Sequence, residues 1–230
     1  MDRHARWRFV LGEVAITTVG ILIAVVVNAW WQNHQDRRTE LDALREMRAA
    51  LAVDLDDLRE DLSRYRRVDR STRLLLGRLQ RGLPYEPGLD TVFGAQLSYR
   101  RHLSNSTAYE SLRSRGLGLI ADDSLRLAVI DFYGLQNSTV ALWNEIDTRL
   151  VDDDIRPFFR TRFRLRAATP ATARAAVPVD YPALARDPAF ASLLTTRQET
   201  MVATIRSYEH AIAQGERLVA LLDRRIARLR

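Results

Sequence analysis

The sequence contains neither cysteine nor lysine, and only ten glycines and seven prolines occur among its 230 residues. Without cysteine the chain has no disulfide bond, thiolate zinc site or cysteine nucleophile, and it suits an oxidising or a reducing compartment equally well. The scarcity of glycine and proline, with 47% hydrophobic and 28% charged residues, favours an ordered helical protein over a disordered one. Its length allows one domain with its own core in addition to a membrane segment.

The absence of lysine makes all 35 basic residues arginine, and the formal net charge is +6. A basic balance can indicate a nucleic-acid or anionic-membrane partner. The complete preference for arginine is more typical of a codon bias of the genome than of selection for phosphate contacts. We therefore expect no nucleic acid partner.

Recognisable catalytic and cofactor motifs are also missing. The sequence has no H-E-x-x-H zinc motif, no G-x-S-x-G nucleophile elbow, no G-x-x-x-x-G-K phosphate loop and no G-x-G-x-x-G fingerprint. None of the four histidines is paired with another at a metal-binding helical spacing: His4, His34, His102 and His210. We predict no catalytic residue, no cofactor and no enzymatic activity. An enzyme that uses carboxylates in an interhelical cleft is the least favoured alternative.

Two runs of carboxylates, at 54–57 and 152–154, are the nearest approach to a cation site. Successive residues of a helix point about 100° apart, so such a run does not converge on one ion. Arg59 and Arg156 are close enough along the helix to neutralise the runs, and the glycine-turned calcium loop is missing. We predict no metal site.

Residues 9–31 form the longest apolar run, in which Glu13 is the only charged residue. As a helix the run is about 34 Å long, against a bilayer hydrocarbon core of about 30 Å. Tryptophans mark both ends, Trp7 at one and Trp30 and Trp31 at the other, and such rings favour the headgroup level. The run predicts a transmembrane helix. A cleaved signal peptide is the minor alternative, because signal cores are usually only about 7 to 15 residues long.

Polar and small side chains recur along one face of this helix at steps of three and four residues. Small residues let two backbones approach, and asparagine or glutamate can form hydrogen bonds across the contact. The pattern predicts a membrane helix interface formed by Glu13, Thr17, Gly20, Ala24, Asn28 and Trp31. Alternatively, Glu13 and Asn28 lie near enough to the two membrane surfaces to need no partner.

Two stretches of the chain resemble a family of uncharacterised single-pass bacterial membrane proteins. The first combines GE at 12–13, GILIA at 20–24, Asn28 and Trp30, and the second combines TAYESL at 107–112, Gly116, Leu119 and Ile120. The chain departs from the family pattern at 25–27, where VVV replaces Leu-Gln-Ile, and at Ala29, often a second asparagine. The resemblance implies an anchor followed by a helical domain, and it brings no known activity, substrate or catalytic residue.

The predicted organisation follows from this membrane segment. A short cytoplasmic tail occupies 1–8, the transmembrane helix 9–31 and a helical extramembrane domain 32–230. Positive charges flank both ends of the helix, so the orientation rests mainly on the free amino terminus and on the ease with which long domains translocate. We expect a location in the bacterial inner membrane, with the amino terminus in the cytoplasm and the domain in the periplasm.

Two long segments carry apolar residues at alternating steps of three and four. The first covers 41–79, with Arg48, Asp69 and Thr72 as exceptions, and the second covers 201–229. We predict an all-α fold, in which these two heptad-patterned helices pair within a bundle that follows the transmembrane helix. One arrangement is an antiparallel pair within one chain. The second helix would then return toward the membrane, and lipid headgroup contacts are predicted for Arg224, Arg225, Arg228 and Arg230. The alternative is an ordinary solvated helix end.

Shorter helices are expected between the long ones, at 91–103, 107–115, 123–133 and 138–163. Thr107 and Glu110 match a capping box, and Asp122 is placed to cap the next helix. Residues 165–188 contain four prolines and many alanines and arginines, so we predict a long irregular connection there.

The segment 105–115 is the most suggestive part of the extramembrane domain. A small-ligand or peptide groove could be lined there by Asn105, Tyr109, Glu110, Arg113 and Arg115, although such residues also serve as caps and surface charges. We expect a membrane-anchored scaffold or interaction protein that contacts membrane lipid and binds either itself or another membrane protein. The alternative is a helical ligand-sensing module, which needs a separate signalling subunit because the tail at 1–8 is short.

Overall fold

The computed structural model describes residues 3–100, 106–167 and 174–230, with side chains from residue 22 onward. Its elements are, in chain order, α1 (Arg3–Gln80), α2 (Leu89–Ala95), α3 (Thr107–Arg115), α4 (Asp123–Ile130), α5 (Asn137–Arg149), α6 (Arg156–Arg162), β1 (Phe163–Arg166), β2 (Ala175–Pro178), α7 (Tyr181–Ala185) and α8 (Pro188–Leu229). A short 3-10 turn at Leu117–Leu119 follows α3. The fold is therefore mostly helical, which confirms the all-α prediction at that level.

The two long helices, α1 and α8, form an antiparallel pair. Apart from the exposed Arg48, their heptad positions are buried or half-buried along the contact, with Leu51, Leu58 and Tyr208 almost without exposed surface. Arginines of α1 cross to acids of α8 in descending order, through the ion pairs Arg48–Asp223, Arg59–Glu216 and Arg66–Glu209, with N–O separations of 3.1, 2.8 and 2.7 Å. The predicted pairing of two amphipathic helices is confirmed.

A third helical path, from 123 to 162, packs against this pair. It was expected as two helices, but Asp131–Gln136 and Leu150–Ile155 are π-helical turns that join α4, α5 and α6 without a break. A π turn accommodates one extra residue and rotates the side chains that follow. Phe132 and Val140 therefore stay buried on the same side of the path, so the predicted interruption after residue 133 is wrong.

The sequence predicted side-chain caps for two helices, α3 and α4, and the structure contains one of them. The carboxylate of Asp122 accepts a hydrogen bond from the Leu125 backbone N–H at 3.1 Å, which confirms the predicted cap of α4. Helix α3 begins at Thr107 as expected, but Ser106 holds the cap position and no side chain caps the helix. The predicted capping box is therefore wrong.

The connection predicted to be irregular contains regular structure. Strands β1 and β2 form an antiparallel ribbon in the register Phe163↔Pro178 to Arg166↔Ala175, and α7 follows it; residues 168–173 lie outside the described part. The ribbon packs on α2 at Gly94, where a Cβ atom would lie 2.1 Å from the Arg174 carbonyl oxygen. This close approach, together with the burial of Phe163 and Ala176, orders a segment whose composition favoured a loop.

The residues that the structure describes form two clusters of buried apolar side chains. The larger one lies between α1, α8 and the third helical path. The smaller one lies around the ribbon and α2, where Phe159 and Phe163 stack with ring centroids 4.1 Å apart and Phe93 and Phe190 pack beside them.

Helix α1 extends well beyond its pairing with α8. All side chains from 22 to 39 are exposed, and the first buried one is Glu40. Among the residues whose side chains are described, no helix holds a stretch long and apolar enough to cross a membrane. The first part of the predicted span, up to residue 21, lies outside the described side chains.

Candidate functional site

A cavity of about 640 Å³ lies against the middle of α1. This volume is within the range of small-molecule sites, about 300–1,000 Å³. Five of the described residues that line it are arginines and none is acidic: Arg64, Tyr65, Arg67, Val68, Ser71, Ala95, Leu97, Ser98, Tyr99, Arg100, Arg156 and Arg174. The described residues therefore give the cavity a strongly basic lining.

Three parts of the fold bring these side chains together. On α1, Arg64, Arg67 and Ser71 lie on one face because they are separated by three and four residues. Residues 95–100 leave the end of α2 and form a second wall. The third wall is formed by Arg156, which follows the second π turn, and by Arg174, which precedes β2.

Three of the five arginines have carboxylate partners. Arg64 pairs with Glu60 one turn earlier on α1. Arg100 contacts the buried carboxylate of Asp61 at 2.9 Å. Arg156 contacts Asp152 of the π turn at 3.1 Å, and the same carboxylate accepts a hydrogen bond from the Tyr99 hydroxyl at 3.2 Å.

Arg67 and Arg174 differ, because their described contacts include no carboxylate. Arg67 donates to the hydroxyl of Ser63 at 3.1 Å, and Arg174 donates to the carbonyl oxygen of Leu97 at 3.0 Å. Both residues are exposed at the cavity. Their positive charges are therefore not neutralised by acids within the described structure.

A buried polar layer lies beneath the cavity. The Tyr65 hydroxyl is 2.8 Å from both the Arg100 carbonyl oxygen and the Asn144 side-chain oxygen. Asn144 also donates its amide to the Tyr208 hydroxyl at 3.1 Å, which links α1, α5 and α8. Burial raises the pKa of both tyrosines well above the usual value, so both remain neutral donors.

The second part of this layer is an ion pair between Arg197 of α8 and Asp147 of α5, with 0% side-chain exposure on both residues. Arg197 also donates to the carbonyl oxygen of Ser98, a cavity residue, at 2.6 Å. Burial raises the pKa of Asp147 to about 6 because desolvation outweighs the attraction of Arg197. Burial likewise lowers the pKa of Arg197. Arg197, a charged side chain of the core, thus holds the cavity wall at Ser98 in place.

Comparisons with known proteins add no identity. No protein-family model, curated protein or solved structure matches the chain. The resemblance carried by the stretches at 12–30 and 107–120 therefore stays a prediction. The residues around the cavity and the exposed surfaces of the helices are therefore the basis on which a function can be proposed.

The described positions of the groove predicted on α3 take part in ring packing and a surface ion pair, and the groove itself stays a prediction. Tyr109 stacks on Tyr133 of the third helical path with ring centroids 4.9 Å apart, so its ring contributes to packing. Glu110 and Arg113 pair with each other on the surface at 3.5 Å, and Arg115 is exposed beyond them. Asn105 lies outside the described residues. These positions serve the packing and surface of α3.

The arginines at the end of α8 do not act alike. Arg225 forms two hydrogen bonds with the buried carboxylate of Glu40, at 2.8 and 2.9 Å, and so closes the end of the helix pair. Arg225 therefore forms an internal ion pair, and its contact with lipid headgroups stays a prediction. Arg224, Arg228 and Arg230 are exposed.

The structure describes the side chains of only some positions in the predicted membrane helix interface. Ala24, Asn28 and Trp31 lie exposed on α1, whereas the side chains of Glu13, Thr17 and Gly20 lie outside the described part. No metal-binding cluster of acidic or histidine side chains is found among the described residues. In the carboxylate runs, Asp56 pairs with Arg59 and Asp152 with Arg156.

The cavity arginines were not selected from the sequence. The only local signal was the run RYRR at 64–67, which places basic residues on both sides of a buried tyrosine. The other arginines come from segments about 35, 90 and 110 residues further along, and only the fold brings them to α1.

Proposed function

We propose that this protein is a membrane-held helical domain that binds a soluble ligand in the arginine-lined cavity and passes the change along α1. The observation that carries the proposal is that α1 itself forms one wall of the cavity. A ligand in contact with Arg64, Arg67 and Ser71 acts directly on the helix that extends toward the amino terminus. This is the ligand-sensing function that the sequence left as an alternative.

The exposed extension of α1 supports the membrane part of the proposal. Its large apolar side chains between 22 and 31 are each more than half exposed, and none packs on the domain. Exposed apolar area costs about 25 cal/mol per Å² in water, so a lone helix of this kind needs a covering. Lipid is the covering that we propose, with 9–31 as the transmembrane helix.

The proposed location and orientation remain those expected from the sequence: the bacterial inner membrane, an amino terminus in the cytoplasm and a periplasmic domain. A reporter enzyme that is active only in the periplasm, fused after Arg230, tests this orientation. Activity supports it, and a reporter that works only in the cytoplasm contradicts it.

Single-cysteine chemistry tests ligand sensing without knowledge of the ligand, because the chain has no cysteine of its own. Ser98→Cys places a thiol in the cavity wall, and a bulky maleimide on it fills the space. Hydrogen exchange of the labelled full chain in nanodiscs should then change in residues 37–48 of α1. The matched control is Ser114→Cys on the exposed surface of α3.

An unchanged exchange profile in the Ser98→Cys protein, or an equal change in the Ser114→Cys protein, contradicts sensing through the cavity. A change confined to residues around the cavity contradicts transmission along α1 while leaving ligand binding in place. The two parts of the proposal are therefore tested separately.

A second candidate function, docking of a protein partner, is favoured by the outer face of α4 and α5. Five large apolar side chains follow one another along this face, with exposed fractions of 37–65%: Leu127, Ile130, Leu135, Leu142 and Ile146. The five-residue step from Ile130 to Leu135 crosses the first π turn, which keeps the row on one side. We propose this face as the contact of a scaffold or homo-oligomer.

Cross-linking in native membranes followed by mass spectrometry tests the docking face. A Leu127→Glu/Leu142→Glu double variant should lose the cross-links that the unchanged chain forms. Val53→Glu, at an exposed apolar position of α1 away from the row, is the matched control. Cross-links that persist in the double variant contradict docking at this face.

A further inference from the structure

We infer that the ligand of the cavity carries a phosphate group, bound as a dianion by Arg67 and Arg174. This inference rests on the proposed function and adds the chemical class of the ligand.

The charges at the cavity define the expected ligand charge. Arg64, Arg100 and Arg156 each have a carboxylate partner, so their pairs add no net charge. Arg67 and Arg174 have neutral partners only, among the contacts that the structure describes. Two positive charges therefore remain at the cavity, and one dianion neutralises them.

The donors favour phosphate over a carboxylate. Arginines line the cavity from α1 at Arg67, from α6 at Arg156 and from the residue before β2 at Arg174, and Ser71 and Ser98 also line it. A tetrahedral phosphate offers oxygens in several directions, whereas a carboxylate offers two oxygens in one plane. Arginine also binds phosphate through paired, charge-assisted hydrogen bonds.

The distance from the predicted membrane segment favours a phosphate in solution over a lipid headgroup. Arg67 lies 36 residues beyond Trp31 on one uninterrupted helix, which corresponds to about 54 Å. Headgroups at the end of the segment are therefore out of reach of the cavity.

Calorimetric titration of the full chain in nanodiscs of neutral lipid tests the inference with inorganic phosphate and with a phosphomonoester. Arg67→Gln and Arg174→Gln should each weaken binding about tenfold or more, because each removes a charged hydrogen-bond donor. Arg70→Gln is the matched control, since it removes the same charge from α1 at an exposed position that does not line the cavity. Arg67→Lys keeps the charge without the paired geometry and should give an intermediate affinity.

The outcomes separate the ligand class from the proposed function. Phosphate binding that is equal in Arg67→Gln, Arg174→Gln and Arg70→Gln overturns the inference, because a general charge effect then explains it. Binding of succinate without binding of phosphate overturns the phosphate class and leaves an anion site. If no anion binds, but the label on Ser98→Cys still changes exchange in residues 37–48, the inference fails and ligand sensing stands.

A last comparison identifies the source of the phosphate. The titration is repeated in nanodiscs that contain phosphatidylglycerol. Unchanged affinity for inorganic phosphate supports a soluble ligand, whereas a loss of phosphate binding indicates that headgroups occupy the cavity and overturns the soluble source.

Discussion

Arg197 and Asp147 form an ion pair with no solvent-exposed side-chain surface, and Arg197 also holds the Ser98 carbonyl oxygen. Removing two charges from water costs several kcal/mol per ion, and their attraction offsets this cost only when the remaining hydrogen bonds are made. The pair thus positions the cavity wall at some expense of stability. It links two helices, α5 and α8, to the segment that lines the cavity.

The first prediction concerns this pair. At pH 8, above the raised pKa of Asp147, Arg197→Met leaves this buried carboxylate without its cation, so the free energy of unfolding should fall by about 3–5 kcal/mol. The double variant Asp147→Leu/Arg197→Met replaces both charges and should recover much of that loss. Chemical denaturation measures both. A double variant that is no more stable than Arg197→Met would contradict this prediction.

The second prediction is the pH dependence of stability. The pKa of Asp147 is raised from 3.8 to about 6, so the folded state binds this proton more tightly than the unfolded state. The corresponding stabilisation is complete below about pH 4 and is lost as the pH rises through 6; it amounts to about 3 kcal/mol. The unfolding free energy of the unchanged chain, measured relative to that of Asp147→Asn, should therefore fall as the pH rises from 4 to 6. A difference that stays constant over this range contradicts the raised pKa.

The third prediction concerns the contact of α2 with the ribbon. Gly94→Ala places a methyl group against the Arg174 backbone and should lower the free energy of unfolding by about 1–3 kcal/mol or more. Gly134→Ala is the control, because a Cβ there meets nothing within 4 Å among the described residues. Thermal denaturation of both variants decides the matter. Equal stability of the two variants would show that the close approach at Gly94 is relieved easily.

The fourth prediction concerns the end of the helix pair nearest the amino terminus. Glu40→Gln weakens the double contact with Arg225 and leaves the Ala121 backbone N–H with a weaker acceptor. Hydrogen exchange should become faster in residues 219–229 while the rest of α8 stays protected. Asp42→Asn, at an exposed carboxylate two residues further along, is the control. Equal exchange in both variants contradicts a clamping role for Glu40.

The long helices could be predicted because a buried stripe repeats locally along the sequence. Leu51, Leu58, Tyr208 and Leu222 all fall on the predicted heptad positions and are buried. The ribbon could not be predicted in this way. Its four-residue strands are too short to show an alternating pattern, and they are ordered by distant contacts such as the one at Gly94.

The basic cavity could not be predicted from the sequence, for a related reason. An arginine that pairs with an acid and one that does not look alike in a sequence, and every basic residue of this chain is arginine. The difference between Arg64 and Arg67 arises from neighbours in three dimensions. Glu60 pairs with the guanidinium of Arg64, whereas the described partner of the Arg67 guanidinium is the Ser63 hydroxyl. The buried pair of Asp147 and Arg197 was missed because its partners are 50 residues apart.

If the cavity signals through α1 as proposed, the unbroken course of this helix limits the form of that signal. Neither proline nor glycine occurs from 21 to 76, so this stretch offers none of the usual points at which a helix kinks. Helix α1 therefore has no flexible joint between the cavity and residue 21. Occupation of the cavity would reach the other end of this rod as a twist about its axis or a piston-like slide against α8.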